Sequence, residues 1–168
     1  MLKFDRQGLI PVVIQDDATG EVLMVAFMNE EAFDRTRATG YTHFFSRSRN
    51  LVWRKGERSG NVQEVRNIFV NCEENSLLIR VVQHGDAACH EGYRSCYYRR
   101  LLPDDTYETV AERLFNPEIV YRHSHTTQTG AEFDTVEEPR GRHKGPHSTP
   151  LYSRPYKDTK GLRQWHHH

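Results

Sequence analysis

The sequence has no net charge: 23 lysines and arginines face 23 aspartates and glutamates. That balance gives no electrostatic case for nucleic acid or an anionic membrane as the main partner. It also lacks any apolar run near the ~18 residues that a bilayer-spanning helix needs, and Met1-Leu2-Lys3-Phe4-Asp5-Arg6 lacks the layout of a secretory signal. The expectation is a cytoplasmic protein with no membrane partner. Cysteines number three, so one chain cannot pair them all in disulfides, and reduced thiols point to metal, catalysis or plain burial. Walker and G-x-G-x-x-G elements, internal repeats and coiled-coil heptads are all missing.

What is present is unevenly spread over the 168 residues. Residues 123–168 hold eight hydrophobic residues in forty-six, but four of the seven prolines and seven of the ten histidines. Such a segment buries too little apolar surface to offset its ordering entropy, so it is expected as a polar extended tail. Its closing His166-His167-His168 reads as purification-tag residues. Residues 1–102 read as one domain and 103–122 as a helical extension.

Within the domain, short β-rich apolar segments alternate with turn chemistry. Residues 10–15 and 21–28, joined by Asp16-Asp17-Ala18-Thr19-Gly20, predict a hairpin. Asn29 is placed to cap a helix over 30–38, with Glu30 and Glu31 at its positive end and Gly40 to stop it. Further strands are expected at 42–46, 51–54, 62–70, 76–83 and 95–101. A second helix is expected over 107–115, capped by Asp104 or Asp105 and ended before Pro117. The class that follows is α+β, with a largely antiparallel sheet and one early helix.

Chemistry concentrates in three stretches. Three thiolates leave a tetrahedral zinc incomplete, and catalytic zinc typically keeps three protein ligands and an open position. Cys72, Cys89 and Cys96 therefore favour an open hydrolytic metal over a structural one, although their spacing alone equally suits three buried free cysteines. His90, directly after Cys89, could act as general acid or base, serve as a fourth ligand, or simply be a hydrogen-bonded loop histidine. His43 and His84 read as structural. Residues 53–61 combine Trp53, Lys55, Ser59 and Gly60 in a loop that could hold a phosphorylated ring-containing ligand or be a plain polar hairpin turn. Arg47, in Ser46-Arg47-Ser48-Arg49, is an anion-binding candidate on the same terms.

The pattern W-x-K-G-x-x-S-G-N over 53–61, Asn71-Cys72-Glu73-Glu74-Asn75, and C-H-x-G-x-x-S-C over 89–96 follow His43-Phe44-Phe45 in order. In this the chain resembles the phosphoribosyl-AMP cyclohydrolase family over roughly residues 8–101. The resemblance implies an intertwined homodimer with interface zinc, Cys72 coming from one chain and Cys89 and Cys96 from the other. It implies hydrolytic opening of the N1–C6 bond of the adenine ring in N1-phosphoribosyl-AMP, a step of histidine synthesis. The N1-ribosylated purine is electron-poor at C6, and water activated by zinc to a pKa of roughly 7 can attack there. His90 is then the proton carrier, and Arg47, Trp53, Lys55, Ser59 and Gly60 are substrate contacts.

The chain departs from the family at the second metal. There magnesium is held by three aspartates around the first zinc cysteine, whereas the matching positions here are Asn71, Glu73 and Asn75. One carboxylate replaces three, which weakens a cation that wants charged oxygen ligands in octahedral geometry. Other readings kept open are a relative acting on a different purine-like or cyclic amidine C–N bond, and a noncatalytic zinc-stapled dimer that binds a nucleotide.

Overall fold

The computed structural model describes residues 1–121; the expected polar tail at 123–168 lies outside the described residues. Ten elements follow in order: β1 Ile10–Asp16, β2 Val22–Met28, α1 Glu30–Thr39, β3 His43–Ser46, β4 Leu51–Arg54, β5 Gln63–Val70, β6 Leu77–Gln83, β7 Arg99–Leu101, β8 Tyr107–Thr109 and α2 Pro117–Tyr121. The fold is α+β, as expected. The main sheet has the order β2-β1-β6-β5, with β1 and β6 parallel and the other two ladders antiparallel. That one parallel ladder, left unforeseen by the hairpin pattern, makes the sheet mixed.

Alternation along the strands sets the core. Ile10, Val12 and Ile14 of β1 and Leu77, Ile79 and Val81 of β6 are buried on one face, and Ala32 of α1 and Phe44 of β3 join them in one cluster. Helix α1 starts where its sequence says. The Asn29 side chain accepts the Ala32 amide at 2.9 Å, and Gly40 closes the helix with φ 75° and its N–H on the Thr36 carbonyl.

The opposite face of the sheet carries a second apolar row. Val25, Val13, Leu78 and Phe69 are register partners across all four strands, so their side chains share one side. Val25 is 46% and Phe69 45% exposed in the single chain.

Two expectations fail at the C-terminal side. No helix forms over 107–115: Tyr107–Thr109 is strand β8, paired with β7, and residues 110–115 run on without helix or strand. Asp104, the expected cap, instead accepts the Thr106 amide and hydroxyl in the hairpin turn, so strand pairing overrides the local apolar spacing. The helix starts later, at Pro117, with Asn116 accepting the Glu118 amide at 3.0 Å. The strand expected over 95–101 is confined to β7, because residues 95–98 are held against β2 as an irregular loop.

Candidate active site

Two loops meet at the C-terminal end of β6. One, residues 55–61, follows β4. Lys55 donates its amide to the Thr42 carbonyl at 3.0 Å, and the chain then turns at Gly56, whose φ is 80°. A Cβ at Gly56 would lie 2.4 Å from the Val62 amide nitrogen, so the turn closes only on glycine. The other, residues 84–96, carries Cys89 and Cys96. A Cβ at Gly85 would fall 1.9 Å from Asn61 Oδ1, so the two loops touch there.

Buried amides lock this junction. Gln63 donates to Gln83 Oε1 at 2.9 Å and accepts from the Thr42 hydroxyl at 2.8 Å, while Gln83 donates to the carbonyls of Asn61 and His84 at 3.1 and 3.0 Å. Burial of all three side chains makes these bonds costly to break. Sequence reading passed over this network. Its signal was two glutamines at inward positions of strands β5 and β6.

The cysteine loop is strapped to β2. Ser95 donates its hydroxyl to the Val22 carbonyl at 2.8 Å, and the Cys96 amide donates to the Leu23 carbonyl at 2.8 Å. Arg94 is ion-paired with Asp16 at 3.2 Å and Glu21 at 2.7 Å, both from the β1–β2 hairpin. Residues 110–115 cross the loop's outer side: Leu114 donates its amide to the Gly92 carbonyl, and a Cβ on Gly92 would meet the Phe115 carbonyl oxygen at 2.1 Å.

So held, the thiols of Cys89 and Cys96 lie side by side. Cys89 is buried and Cys96 is exposed as a residue, yet desolvation of the Cys96 sulfur first, then the charge and hydrogen bond of Cys89, push the Cys96 thiol up to about 11, with the Lys55 ammonium acting the other way. Burial depresses the Lys55 ammonium below its ordinary value, while Cys96 and Cys89 partly restore it. Lys55 Nζ is also 5.9 Å from the Trp53 ring centroid, and Trp53 packs on Phe44 with ring centroids 5.4 Å apart. The structure thus brings together Cys89, Cys96, Lys55 and Trp53.

The remaining expected residues lie around or away from this cluster. Ser59 Oγ accepts the Asn61 amide at 3.3 Å, and Gly60, at φ 76°, has open space on its Cβ side. Arg47, at the tip of the β3–β4 hairpin, lies 4.2 Å over the Phe27 ring. His90 is 77% exposed, with Nε2 3.3 Å from Glu91. Cys72 is exposed in the turn between β5 and β6. It precedes β6 while Cys89 follows it, and that seven-residue strand spans about 20 Å. Among the described residues, no three His, Cys, Asp or Glu side chains converge closely enough to hold a metal ion. A pocket at the start of α1, lined by Phe4, Gln7, Gly8, Asn29, Glu30 and Glu31, contains none of the expected residues.

A paired-thiol donor set suits zinc, a borderline-soft ion that binds thiolates. Oxygen donors at 71, 73 and 75 do not suit magnesium: Asn71 Oδ1 and Asn75 Oδ1 both already accept N–H groups, and a single carboxylate remains.

Fold and site together define an α+β protein in which two thiols and a lysine gather at one loop junction, a donor pair that falls short of a complete metal site within the described residues of the single chain. A family model described as phosphoribosyl-AMP cyclohydrolase matches residues 24–98. The chain is 52% identical over 120 residues to the phosphoribosyl-AMP cyclohydrolase of Pelotomaculum thermopropionicum, covering 71% of this chain and 92% of that one. It is 53% identical over 123 residues to that of Methanospirillum hungatei, with 73% and 90% covered, and 52% identical over 120 to that of Methanoregula boonei, with 71% and 94%. The chain belongs to the phosphoribosyl-AMP cyclohydrolase family.

Proposed function

We propose that the protein is a zinc-dependent cyclohydrolase that opens the N1–C6 bond of the adenine ring of N1-phosphoribosyl-AMP, as a homodimer. The observation that carries this is the meeting of Cys89, Cys96 and Lys55 at the junction of two interlocked loops. Family membership at about half identity supports the reaction.

The third sulfur is Cys72 of the partner subunit. Two thiols are an incomplete zinc site, and the same chain's Cys72 lies beyond the other end of β6. The uncovered row of Val25, Val13, Leu78 and Phe69 is the apolar surface that a second copy would cover.

Zinc, when bound, supplies Lewis acidity that makes water a nucleophile near neutral pH. This chain's own residues do the rest. Lys55 offsets the negative charge that three thiolates leave around a divalent ion. Trp53 offers a flat face beside that ammonium for the base. Ser59 and the open backbone at Gly60 offer donors to the sugar phosphate, and Arg47 provides a further cation for it. His90, next in chain to Cys89, moves the protons: it takes one from the attacking water and returns one to N1 as the N1–C6 bond breaks.

Purified protein is assayed with N1-phosphoribosyl-AMP for ring opening, alongside a zinc determination. Ring opening with one zinc per chain is expected. Bound zinc without ring opening would reject this substrate, and protein active without zinc would reject the metal.

A further inference from the structure

The turn that carries Cys72 satisfies its polar groups internally. Asn71 Oδ1 accepts the backbone amides of Asn75 and Ser76, both at 2.9 Å. Those donors fix the side-chain oxygen, so Asn71 Nδ2 faces Asn75 and donates to its Oδ1 at 2.7 Å. Asn75 Nδ2 then donates to Glu73 Oε2 at 3.0 Å. Each amide oxygen is taken by N–H donors, and each NH2 carries positive partial charge toward the next oxygen.

A hard divalent cation needs the reverse, oxygen lone pairs aimed at one point and preferably charged. Three carboxylates at positions 71, 73 and 75 would put like charges at hydrogen-bond distance, a spacing that calls for a cation between them. With two amides the attraction is built in. Glu74, the other acid of the turn, is engaged elsewhere: it sits at φ 62°, with its carboxylate 2.9 Å from the Met1 amine and 3.6 Å from Lys3 Nζ.

We propose that in this protein the Asn71–Asn75–Glu73 hydrogen-bond chain takes the place of a divalent cation, so that the turn presents Cys72 without magnesium. The inference rests on the proposed function for the role of Cys72. Its binding test does not.

The zinc-loaded full chain is titrated with Mg2+, and with Mn2+ followed by water-proton relaxation, beside the Asn71→Asp/Asn75→Asp double variant. In the parent no saturable site is expected, and about 5 mM Mg2+ shifts the melting temperature by less than about 1 °C. The double variant is expected to melt lower without magnesium and to recover by more than about 3 °C when it is added. Saturable binding to the parent that Asn71→Ala abolishes would overturn the inference, as would a double variant indifferent to magnesium. If the double variant does not fold, Asn75→Asp carries the same comparison. Turnover is read separately. Equal rates with and without magnesium support the inference, and ring opening only with magnesium overturns it. Absence of ring opening in both counts against the proposed reaction, and the binding titration then decides the inference alone.

Discussion

Asp16 shows how one side chain can set the position of a distant loop. Its carboxylate accepts the Thr19 amide at 2.9 Å and hydroxyl at 2.8 Å, and pairs with Arg94 two residues before Cys96. Burial raises its pKa, but the Thr19 hydrogen bonds and the Arg94 charge outweigh that and leave it below the ordinary 3.8. A depressed carboxyl pKa stabilises the fold above the unfolded value and loses that contribution as pH falls through the folded one. Asp16→Asn keeps the Thr19 acceptor and removes the charge, so it should cost about 1 kcal/mol at neutral pH. Denaturant titrations should show the gap to the parent closing below pH 3.8, the ordinary value. His90→Ala, by contrast, should leave zinc content unchanged and lower kcat at least about 100-fold; a loss of only a fewfold would remove its proton-carrying role. Cys89, Cys96 and Lys55, which the structure brings together, could be picked out in the sequence because rare residue types in short motifs stand out. Asp16, Arg94, Gln63 and Gln83 could not, since their work lies in long-range partners such as the Arg94–Glu21 contact.

Whether an element could be read from the sequence depended on whether its determinants were local. Helix α1 has its cap, dipole partners and stop within the twelve consecutive positions from Asn29 to Gly40, and it forms where expected. The β1–β2 hairpin and strands β3 to β6 also fall within a residue or so of their expected bounds, because alternation and turn residues specify them. Residues 107–115 failed that reading: Tyr107, Val110 and Leu114 have helical spacing, yet the partners that decide their structure are Arg99–Leu101, Tyr98 and Gly92. The parallel β1–β6 ladder was hidden for the same reason, since its two strands lie more than sixty positions apart. Gly56 belongs to this scale as well. Gly56→Ala meets both a φ of 80° and backbone atoms 2.4 Å away, and should destabilise the protein by about 1–3 kcal/mol. Because the loop carries Lys55 and Ser59, KM should also rise; a variant with parental stability and kinetics would show that the loop is not held by this turn.

For the whole molecule, the proposed dimer would account for both the uncovered apolar sheet row and the divided cysteines. Each chain has two sulfurs at one end of β6 and one before its other end, an arrangement that becomes useful when two copies exchange ends. In the proposed assembly zinc binding and dimerisation would be linked, because an ion that binds only the assembled pair stabilises it by mass action. Cys89→Ser should lose zinc and weaken the dimer, seen as a concentration-dependent shift toward monomer in analytical ultracentrifugation; full zinc occupancy would contradict its assignment as a ligand. The converse variant separates linkage from simple ligand loss. Phe69 lies outside the thiol cluster, in the exposed row, and Phe69→Glu places a charge where a second copy would bury an aromatic ring. It should fold, with the exposed side chain costing little, and yet sediment as a monomer with zinc below one per chain. A monomer that retains a full complement of zinc would mean that the third ligand does not come from a second chain, and a dimer that persists unchanged would place the interface on another face.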